Sequence, residues 1–292
     1  MIKGVVFDKN SLKEMPVEKI SFLRNFSWIN IIDGSEDDLK KIQKKIDISM
    51  ADLKHCYDSH EVPRVIDNKN YKFIIIKSIH EGRISTLGII MGRRFLITMQ
   101  RHDLNLKISP DELKQGTSLA LISVLSAMVG RFSKQMDKIE ENLTLAEDEV
   151  LDSESSHISK NMFRIKKDLL YLRKSLTANK DVISNISNED HYSTLAVEIN
   201  QLVEMESMQA ARLTDILDLQ QHRVSNNLNN TMKSFTVIAS LLLMPMLISG
   251  IYGMNFSAIP LSHNSFGFYY ALIIMIVSVV LMISYFKHKR WI

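Results

Sequence analysis

The chain has 292 residues, of which 46% are hydrophobic and 24% charged, and its formal net charge is +3. This length allows two domains, and the ordinary composition excludes a disordered tail or a collagen-like chain. The single cysteine, Cys56, excludes an intramolecular disulfide and a four-cysteine zinc site, and it fits a reducing compartment.

The charges are distributed unevenly along the chain. No Asp or Glu follows Asp218, and residues 1–232 carry 32 basic and 33 acidic side chains, a net charge of −1. The positive excess therefore lies near the C-terminus, and the sequence lacks the basic clustering that binding to nucleic acid requires. The first residues lack the apolar segment of a signal peptide, which predicts a cytosolic N-terminus.

Residues 1–109 alternate strand and helix signals and predict a cytosolic α/β domain. Two helices are expected at 36–46, capped by Ser35, and at 50–57, before Pro63. β-branched and apolar runs predict five strands, the last three forming a meander, at 5–7, 28–32, 71–79, 84–91 and 94–99.

Residues 110–232 predict a cytosolic helical domain that ends in a long stalk helix. Ser109 is a helix cap with Pro110 at the first helical position, and apolar residues then recur every three or four positions from 119 to 143. A polar break at 151–156 precedes a second helix at 158–184. After the polar stretch 185–190, a third helix has no terminator before the next apolar region, so it extends over 195–250, about 84 Å.

Two uncharged runs near the C-terminus predict membrane-spanning helices. Residues 235–251 and 268–286 span about 26 Å and about 28 Å as helices, long enough to cross a bilayer. Buried helices of a soluble core are the alternative, but two adjacent runs favour the membrane. The predicted segments are a first span at 233–253, an outer loop at 254–267, a second span at 268–286 and a basic tail at 287–292. Lys287, Lys289, Arg290 and Trp291 predict a cytosolic C-terminus.

The tripeptide Gly253-Met254-Asn255 lies where the first span ends. Taken alone, it predicts a glycine C-cap with a positive φ at Gly253. Between two C-terminal spans, however, it resembles the signature of the CorA-type divalent-cation transporters, and segments 64–75, 168–174 and 226–233 are also similar to that family. The resemblance implies a funnel-shaped homopentamer in the cell (inner) membrane, with the first span of each subunit lining a pore and the second span outside it.

The resemblance assigns roles to particular residues. Gly253, Met254 and Asn255 would form the selectivity filter, Asn229 a second polar ring, and Asp218 an acidic position facing the funnel. Helical spacing adds candidates for one pore-facing stripe, and Met232 and Leu243, with Phe235 beside them, match a hydrophobic constriction in the family. The alternative is that this stripe only packs helix against helix. The proposed pore-lining or gating residues are Asn229, Met232, Thr236, Leu243, Met246 and Gly250, with Ser225 and Ala239 on the same stripe.

The chain departs from the family pattern at two places. Residues 256–265 contain no acid, which resembles the zinc-transporting ZntB-type branch, and His263 is a candidate external ligand. Thr194 stands where we align an Asp that senses Mg²⁺, so Asp190 and Glu198, which flank it, are the candidate regulatory ligands. The predicted function is passage of hydrated divalent cations (Mg²⁺, Co²⁺ or Ni²⁺) into the cytosol. The alternatives are a zinc transporter of the same fold, proton-coupled or not, and a membrane scaffold without transport.

No resident cofactor is expected, since the cation is the transported substrate, and the expected partners are further copies of the chain, the lipid bilayer and divalent ions. The sequence has no Walker loop, nucleophile elbow or His-Glu-x-x-His motif, so no enzyme is predicted. Asp52, His55, Cys56, Asp58 and His60 have the ligand types of a zinc site, but their spacing matches no zinc module and a helix end is the preferred interpretation.

Overall fold

The computed structural model describes residues 2–8, 11–15, 26–152, 158–186, 192–255, 259–260 and 264–291. The chain divides into two units, Met1–Ile216 and Leu217–Ile292. The first unit contains one seven-stranded sheet. Its strands are β1 (Ile2–Asp8), β2 (Ser11–Met15), β3 (Ser27–Ile32), β4 (Arg64–Asp67), β5 (Tyr71–His80), β6 (Arg83–Gly92) and β7 (Phe95–Gln100).

The strand order is β2-β1-β3-β7-β6-β5-β4, and β3 and β7 are the one parallel pair in this sheet. All five predicted strands are confirmed, and so is the meander of β5, β6 and β7. The sequence interpretation missed β2 and β4. β4 has only four residues, and apolar and polar residues alternate only weakly in β2. Each strand is therefore defined by pairing with its neighbour and not by its own sequence pattern.

Helices α1 (Glu36–Ile46) and α2 (Met50–His55) follow β3, as predicted. Ser35 caps α1 in a capping box with Asp38, which satisfies exposed backbone N–H groups at the helix start. α1 buries Leu39 and Ile42 in the apolar core formed with the sheet. Cys56, which follows α2, is fully buried in the same core.

The helical layer starts with α3 (Pro110–Gln115) and α4 (Thr117–Asp152). The predicted cap at Ser109 is confirmed, with a capping box to Glu112. The sequence interpretation, however, missed the break between α3 and α4. Gly116 has φ 132° there, a backbone conformation that favours glycine, so the helix that begins at Pro110 ends after one and a half turns.

Helix α5 (Ile158–Ile186) packs on the open edge of β5. β4 pairs with β5 only as far as Ile75, which leaves the backbone of Lys77 without a strand partner on that side. The amide of Asn179 replaces that partner. The Lys77 N–H donates to Asn179 Oδ1 at 2.8 Å, and Asn179 Nδ2 donates to the Lys77 carbonyl at 2.9 Å. These two bonds fix α5 at this point of the sheet.

Helix α6 (Ser193–Tyr252) begins in the first unit and continues into the second, where α7 (Gly267–His288) follows. In the first unit, Arg212 donates to Glu147 Oε2 of α4 from Nε at 3.2 Å and from its terminal nitrogen at 2.6 Å. α7 and the second half of α6 are both long and apolar enough to cross a membrane. Nearly all of both apolar segments is exposed in the single chain, which is typical of surfaces covered by lipid or by other subunits.

Candidate functional site

The candidate site lies on α6, which runs without interruption for 60 residues, about 90 Å. The predicted continuity of this helix is therefore confirmed. A single helix carries Asp218, Asn229 and every proposed pore-lining residue. The boundary predicted at residue 232 remains a prediction, because the helix passes it without a break.

The proposed pore-lining residues occupy one face of α6. Asn229, Thr236, Leu243 and Gly250 follow one another at steps of seven, and so do Met232, Ala239 and Met246, which places both rows within about 100° of the helix circumference. All of these residues are exposed; the side chain of Met246 is 70% exposed. The single chain thus presents a continuous stripe that it does not itself cover.

The opposite face of α6 is the covered one. Val237 is buried, and Leu241, Pro245, Ile248 and Tyr252 are half-buried, at positions that point away from the exposed stripe. On α7, the buried residues Gly267, Ala271 and Phe286 share a stripe with half-buried Ile274, Ser278 and Met282. The less exposed residues of α6 in this region thus lie on the side away from the proposed pore face.

Hydroxyl groups on this part of α6 satisfy their donors within the helix. Thr231 donates to the Asn227 carbonyl at 2.9 Å, Ser234 to the Asn230 carbonyl at 3.0 Å, and Thr236 to the Met232 carbonyl at 2.8 Å. A hydroxyl bonded in this way tolerates an apolar environment, because no donor is left unpaired. Thr236 therefore presents its methyl group and its oxygen lone pair, and not a free donor.

The motif residues follow the end of α6. The Gly253 N–H donates to the Ser249 carbonyl at 2.9 Å and the Met254 N–H to the Ile251 carbonyl at 3.3 Å. These backbone N–H groups therefore pair with carbonyls of the last turn of α6. Gly253 does not adopt the positive φ that glycine permits, since the glycines with positive φ among the described residues are Gly82 and Gly116. A Cβ at residue 253 would instead lie 3.2 Å from the Ser249 carbonyl oxygen, tighter than an ordinary contact.

Asn255 is exposed at the end of the described segment 192–255. Within the described residues, its side chain has no hydrogen-bond partner, so both the carbonyl oxygen and the amino group are available to a ligand. Met254 beside it is 48% exposed. The predicted outer-loop ligand His263 lies outside the described residues, as do Phe256, Ser257 and Ala258.

The proposed funnel and regulatory residues also lie on α6, except for Asp190, which falls outside the described residues. Asp218 is exposed and precedes Asn229 by eleven residues, close to three full turns, so both occupy the same face. Glu198 and Thr194 are exposed near the start of the helix. The described ranges of a single chain contain no group of three His, Cys, Asp or Glu side chains that could hold a metal ion.

The residues around Cys56 that have zinc-ligand types are engaged in other contacts, in keeping with the preferred interpretation of a helix end. His55 Nδ1 contacts Glu61 Oε2, Arg64 contacts the other oxygen of Glu61, and Asp58 accepts from the backbone N–H of His60 at 2.9 Å. Burial raises the pKa of the Cys56 thiol, which keeps it protonated and unsuited to metal binding. These residues belong to the end of α2 and the turn that follows it.

Sequence reasoning missed two features of α6. Glu206 is buried because it follows Ile199 by seven residues and so lies on the apolar stripe. The sequence signal that could have revealed it is an acid at an apolar position of the helical pattern. Pro245 lies inside the apolar half of the helix. Proline has no N–H, so the Leu241 carbonyl lacks its helical donor, and such positions bend membrane helices.

Comparison with known proteins agrees with this architecture. A family model described as CorA-like Mg²⁺ transporter protein matches residues 24–288. The chain belongs to this CorA family. The cobalt/magnesium transport protein CorA of Methanocaldococcus jannaschii is 29% identical over 317 residues, covering 100% of both chains. CorA of Thermotoga maritima is 24% identical over 315 residues, covering 96% of this chain and 88% of the relative.

Solved structures of the family have the same fold. The complete structure of the CorA magnesium transporter from M. jannaschii superposes with a TM-score of 0.87 at 26% identity, covering 100% of this chain and 99% of that one. The cytoplasmic domain of ZntB from Vibrio parahaemolyticus superposes with a TM-score of 0.64 at 13% identity, covering 77% of this chain and 98% of that one, which shows a shared fold alone. As a CorA-family member, the chain is a membrane protein with a large N-terminal soluble part and two apolar C-terminal helices.

Proposed function

We propose that this protein is a channel that passes hydrated divalent cations, with Mg²⁺ as the principal substrate, into the cytosol. The observation that carries the proposal is the uncovered stripe of α6, which contains no charge from Asn229 to Gly250 and leads to the exposed amide of Asn255. The names of two CorA relatives, a cobalt/magnesium transport protein in each case, support the same substrate class.

A pore formed by this stripe requires several copies of the chain. Two spanning helices cannot enclose a channel, and a rotational axis would bring the same face of α6 from each copy toward the centre. We propose a homopentamer because the CorA resemblance implies one, and because the stripe is exposed in the single chain. The assembled mass in mild detergent is then about 168 kDa, five times the 33.6 kDa chain.

The motif chemistry suits Mg²⁺. The ion is small and gives up its hydration water reluctantly, so a filter that replaced all of its water would release it slowly. A ring of Asn255 side chains supplies neutral carbonyl oxygens that accept hydrogen bonds from the water around the ion. Conduction requires binding strong enough for entry and weak enough for exit, and a neutral ring meets both conditions better than a carboxylate ring.

Below the filter, the stripe alternates apolar and polar rings. Met246, Leu243 and Met232 would form apolar constrictions, where a pore closes by excluding water. Asn229 would form a second polar ring, and Asp218 would supply the carboxylates at the wide cytosolic end. The basic tail after α7 favours an orientation with both termini in the cytosol of the cell (inner) membrane.

A zinc transporter of the same fold is the second candidate. It is favoured by one observation, the absence of any acid after Asp218, which leaves the outer loop without carboxylates that attract dications. The test is flux into liposomes containing the purified full-length protein, with Mg²⁺, Co²⁺, Ni²⁺ and Zn²⁺ compared in the presence and absence of a pH gradient. The channel proposal expects Mg²⁺ influx without a gradient. Influx confined to Zn²⁺ and dependent on the gradient would contradict it.

A further inference from the structure

A cavity of about 660 Å³ lies in the first unit, between α5, the end of the β5–β6 hairpin and residues 59–63. Cavities of about 300–1,000 Å³ are the usual size of small-molecule sites. The cavity lies in the soluble unit and has no connection with the pore-lining residues of α6. Its occupant is therefore a question separate from transport.

The cavity wall carries an excess of positive charge. Five lysine and arginine side chains and two carboxylates line it, an excess of three basic groups. One of the two carboxylates, Glu61, is already engaged by Arg64 and His55. The cationic residues are Lys77, Arg83, Arg164, Lys167 and Lys174.

Lys77 is the most buried of these cations, with 8% of the residue exposed. Its ammonium donates to the Ser59 carbonyl at 2.8 Å and to Thr86 Oγ1 at 3.0 Å. Both acceptors are neutral, and an ammonium has a third hydrogen to donate. The carboxylates that act on Lys77, Asp58 and Glu61, attract it without a direct ion pair. Among the described residues no carboxylate lies within ion-pair distance of Lys77. An unpaired charge at such a depth is costly unless an anion joins it.

The position of Lys77 is fixed in advance of any ligand. The two hydrogen bonds from Asn179 hold its backbone, and Thr86, which donates to the Asp58 carbonyl at 2.7 Å, holds its side chain. Burial lowers the pKa of Lys77; the charges of Asp58 and Glu61 offset part of that effect, and the charge of Lys174 adds a smaller lowering. Burial therefore disfavours the charged form of Lys77, and an anion bound beside it would favour that form.

Helix α5 presents its cations to the cavity at helical spacing. Arg164, Lys167 and Lys174 line the cavity together with Tyr171, and Lys167 lies over the Tyr171 ring at 5.8 Å. Within the described part of the chain, Arg164 and Lys174 have no carboxylate at ion-pair distance. The remaining wall is apolar and is formed mainly by Val62, Pro63, Ile79, Ile84, Leu172 and Ala178.

We propose that this cavity binds a phosphorylated metabolite of mononucleotide size, with its phosphate at Lys77 and Lys174 and its apolar body against Leu172 and Ile84. A phosphate fits better than a carboxylate because it carries nearly two negative charges and three acceptor oxygens, whereas a carboxylate brings one charge. The apolar wall and the volume require more than a bare inorganic ion.

The experiment is calorimetric titration of the purified full-length protein with AMP, in a buffer that contains EDTA so that no metal bridges the nucleotide to another site. Adenosine supplies the body without the phosphate, and inorganic phosphate supplies the head without the body. We expect AMP to bind more tightly than inorganic phosphate and adenosine to give no heat of binding. Lys174→Gln should weaken AMP binding about tenfold, as expected for one charge-assisted contact, and Arg164→Gln, about 15 Å farther along α5, should weaken it less.

Lys166→Gln is the matched control, because Lys166 is exposed on the same helix and does not line the cavity. It should bind AMP like the unaltered protein. The proposal is overturned if AMP gives no binding at about 10 mM, where even a Kd of millimolar order gives near saturation. It is equally overturned if inorganic phosphate binds as tightly as AMP, or if Lys166→Gln weakens binding as much as Lys174→Gln does.

Discussion

Glu206 of α6 faces Arg173 of α5 across 3.8 Å, measured from Arg173 Nε to Glu206 Oε2. The carboxylate is only 2% exposed, whereas Arg173 is 60% exposed, and within the described residues Glu206 Oε2 accepts no hydrogen bond. Burial raises the pKa of Glu206, and the attraction of Arg173 offsets only part of that effect. The helix that enters the membrane is therefore held against α5 partly through a carboxyl group that burial favours in its neutral form.

The Glu206 contact predicts a pH dependence of stability. Because the folded chain retains this proton to a higher pH than the unfolded chain does, lowering the pH from neutrality toward the ordinary glutamate range stabilises the fold. As the pH rises again through the folded-state pKa of Glu206, this stabilisation of the fold is lost. Glu206→Gln should melt at a higher temperature than the unaltered protein at pH 7.5, with a difference that shrinks toward pH 5.

Glu204→Gln is the control for this measurement, since Glu204 is exposed two residues away, on the opposite side of the same helix. Its melting temperature should follow that of the unaltered protein at both pH values. If Glu206→Gln melted well below the unaltered protein at pH 7.5, the ion pair with Arg173 would outweigh the cost of burial, and the direction assigned to the Glu206 pKa would be wrong.

Gly88 of β6 is predicted to be irreplaceable. A Cβ at this residue would lie 2.2 Å from Cys56 Sγ and 2.5 Å from Cys56 Cβ, so Gly88→Ala forces α2 away from the sheet. Overpacking of this kind costs about 1–3 kcal/mol. We expect a cost at the upper end of that range, seen as a lower thermal melting point.

Gly130→Ala is the matched comparison. Gly130 is exposed in α4 and nothing lies within 4 Å of its added Cβ, so alanine should stabilise the helix by about 1 kcal/mol. Equal melting points for the two variants would contradict the packing of Cys56 on β6.

Most of the helices could be predicted from sequence because their signals are local. The caps at Ser35 and Ser109 and the lack of a breaker between Ser193 and Pro245 depend only on neighbouring residues. The parallel pairing of β3 with β7 could not be predicted, because it joins segments about 70 residues apart, through contacts such as Trp28 Nε1 to Thr98 Oγ1 at 3.0 Å.

In the candidate site and the cavity, too, features that depend on neighbouring residues could be predicted, and features that join distant segments could not. Helical spacing was enough to place Asn229 and Met246 on one face, since a continuous helix determines which residues share a side. The cavity at Lys77 was not predicted, because it requires residues 59–63, the β5–β6 hairpin and α5 to meet, and Lys77 and Asn179 are 102 positions apart. The close approach of Gly253 to the Ser249 carbonyl oxygen was not predicted, because such a contact depends on the three-dimensional path of the backbone.

The uncovered face of α6 can be tested with single cysteines. Cys56 is fully buried and burial raises its thiol pKa, so the natural chain is a nearly unreactive background. Met246 and Ile248 differ by two residues, about 200° around the helix, and therefore occupy opposite faces. A membrane-impermeant methanethiosulfonate cation applied from outside should label Met246→Cys and block Mg²⁺ flux, and it should leave Ile248→Cys unlabelled. Labelling of Ile248→Cys alone would mean that the opposite face lines the pore.

Closure by cytosolic Mg²⁺ is predicted to be weak. A sensing site between subunits needs at least two carboxylates to hold a dication. At the position where one of these carboxylates is expected, Thr194 supplies only a hydroxyl. Mg²⁺ then binds the closed and open states with nearly equal affinity and shifts the population little. The measurement is channel current as cytosolic Mg²⁺ rises through the millimolar range. A steep response that disappears in Glu198→Gln or Asp190→Asn would show that these acids form the sensor instead, and one that survives both changes would place the sensor elsewhere.

The most direct test of the channel proposal is Mg²⁺ influx into liposomes that contain the full-length protein, driven by an inside-negative membrane potential at equal pH on both sides. We expect influx through the unaltered protein and through Asn230→Ala, a control whose side chain lies about 150° around the helix from the middle of the exposed stripe. Asn255→Ala should reduce the influx by about tenfold or more, equivalent to about 1.4 kcal/mol or more at the filter, while assembling to the same mass. Absence of influx without a pH gradient, or undiminished influx through Asn255→Ala, would contradict the account.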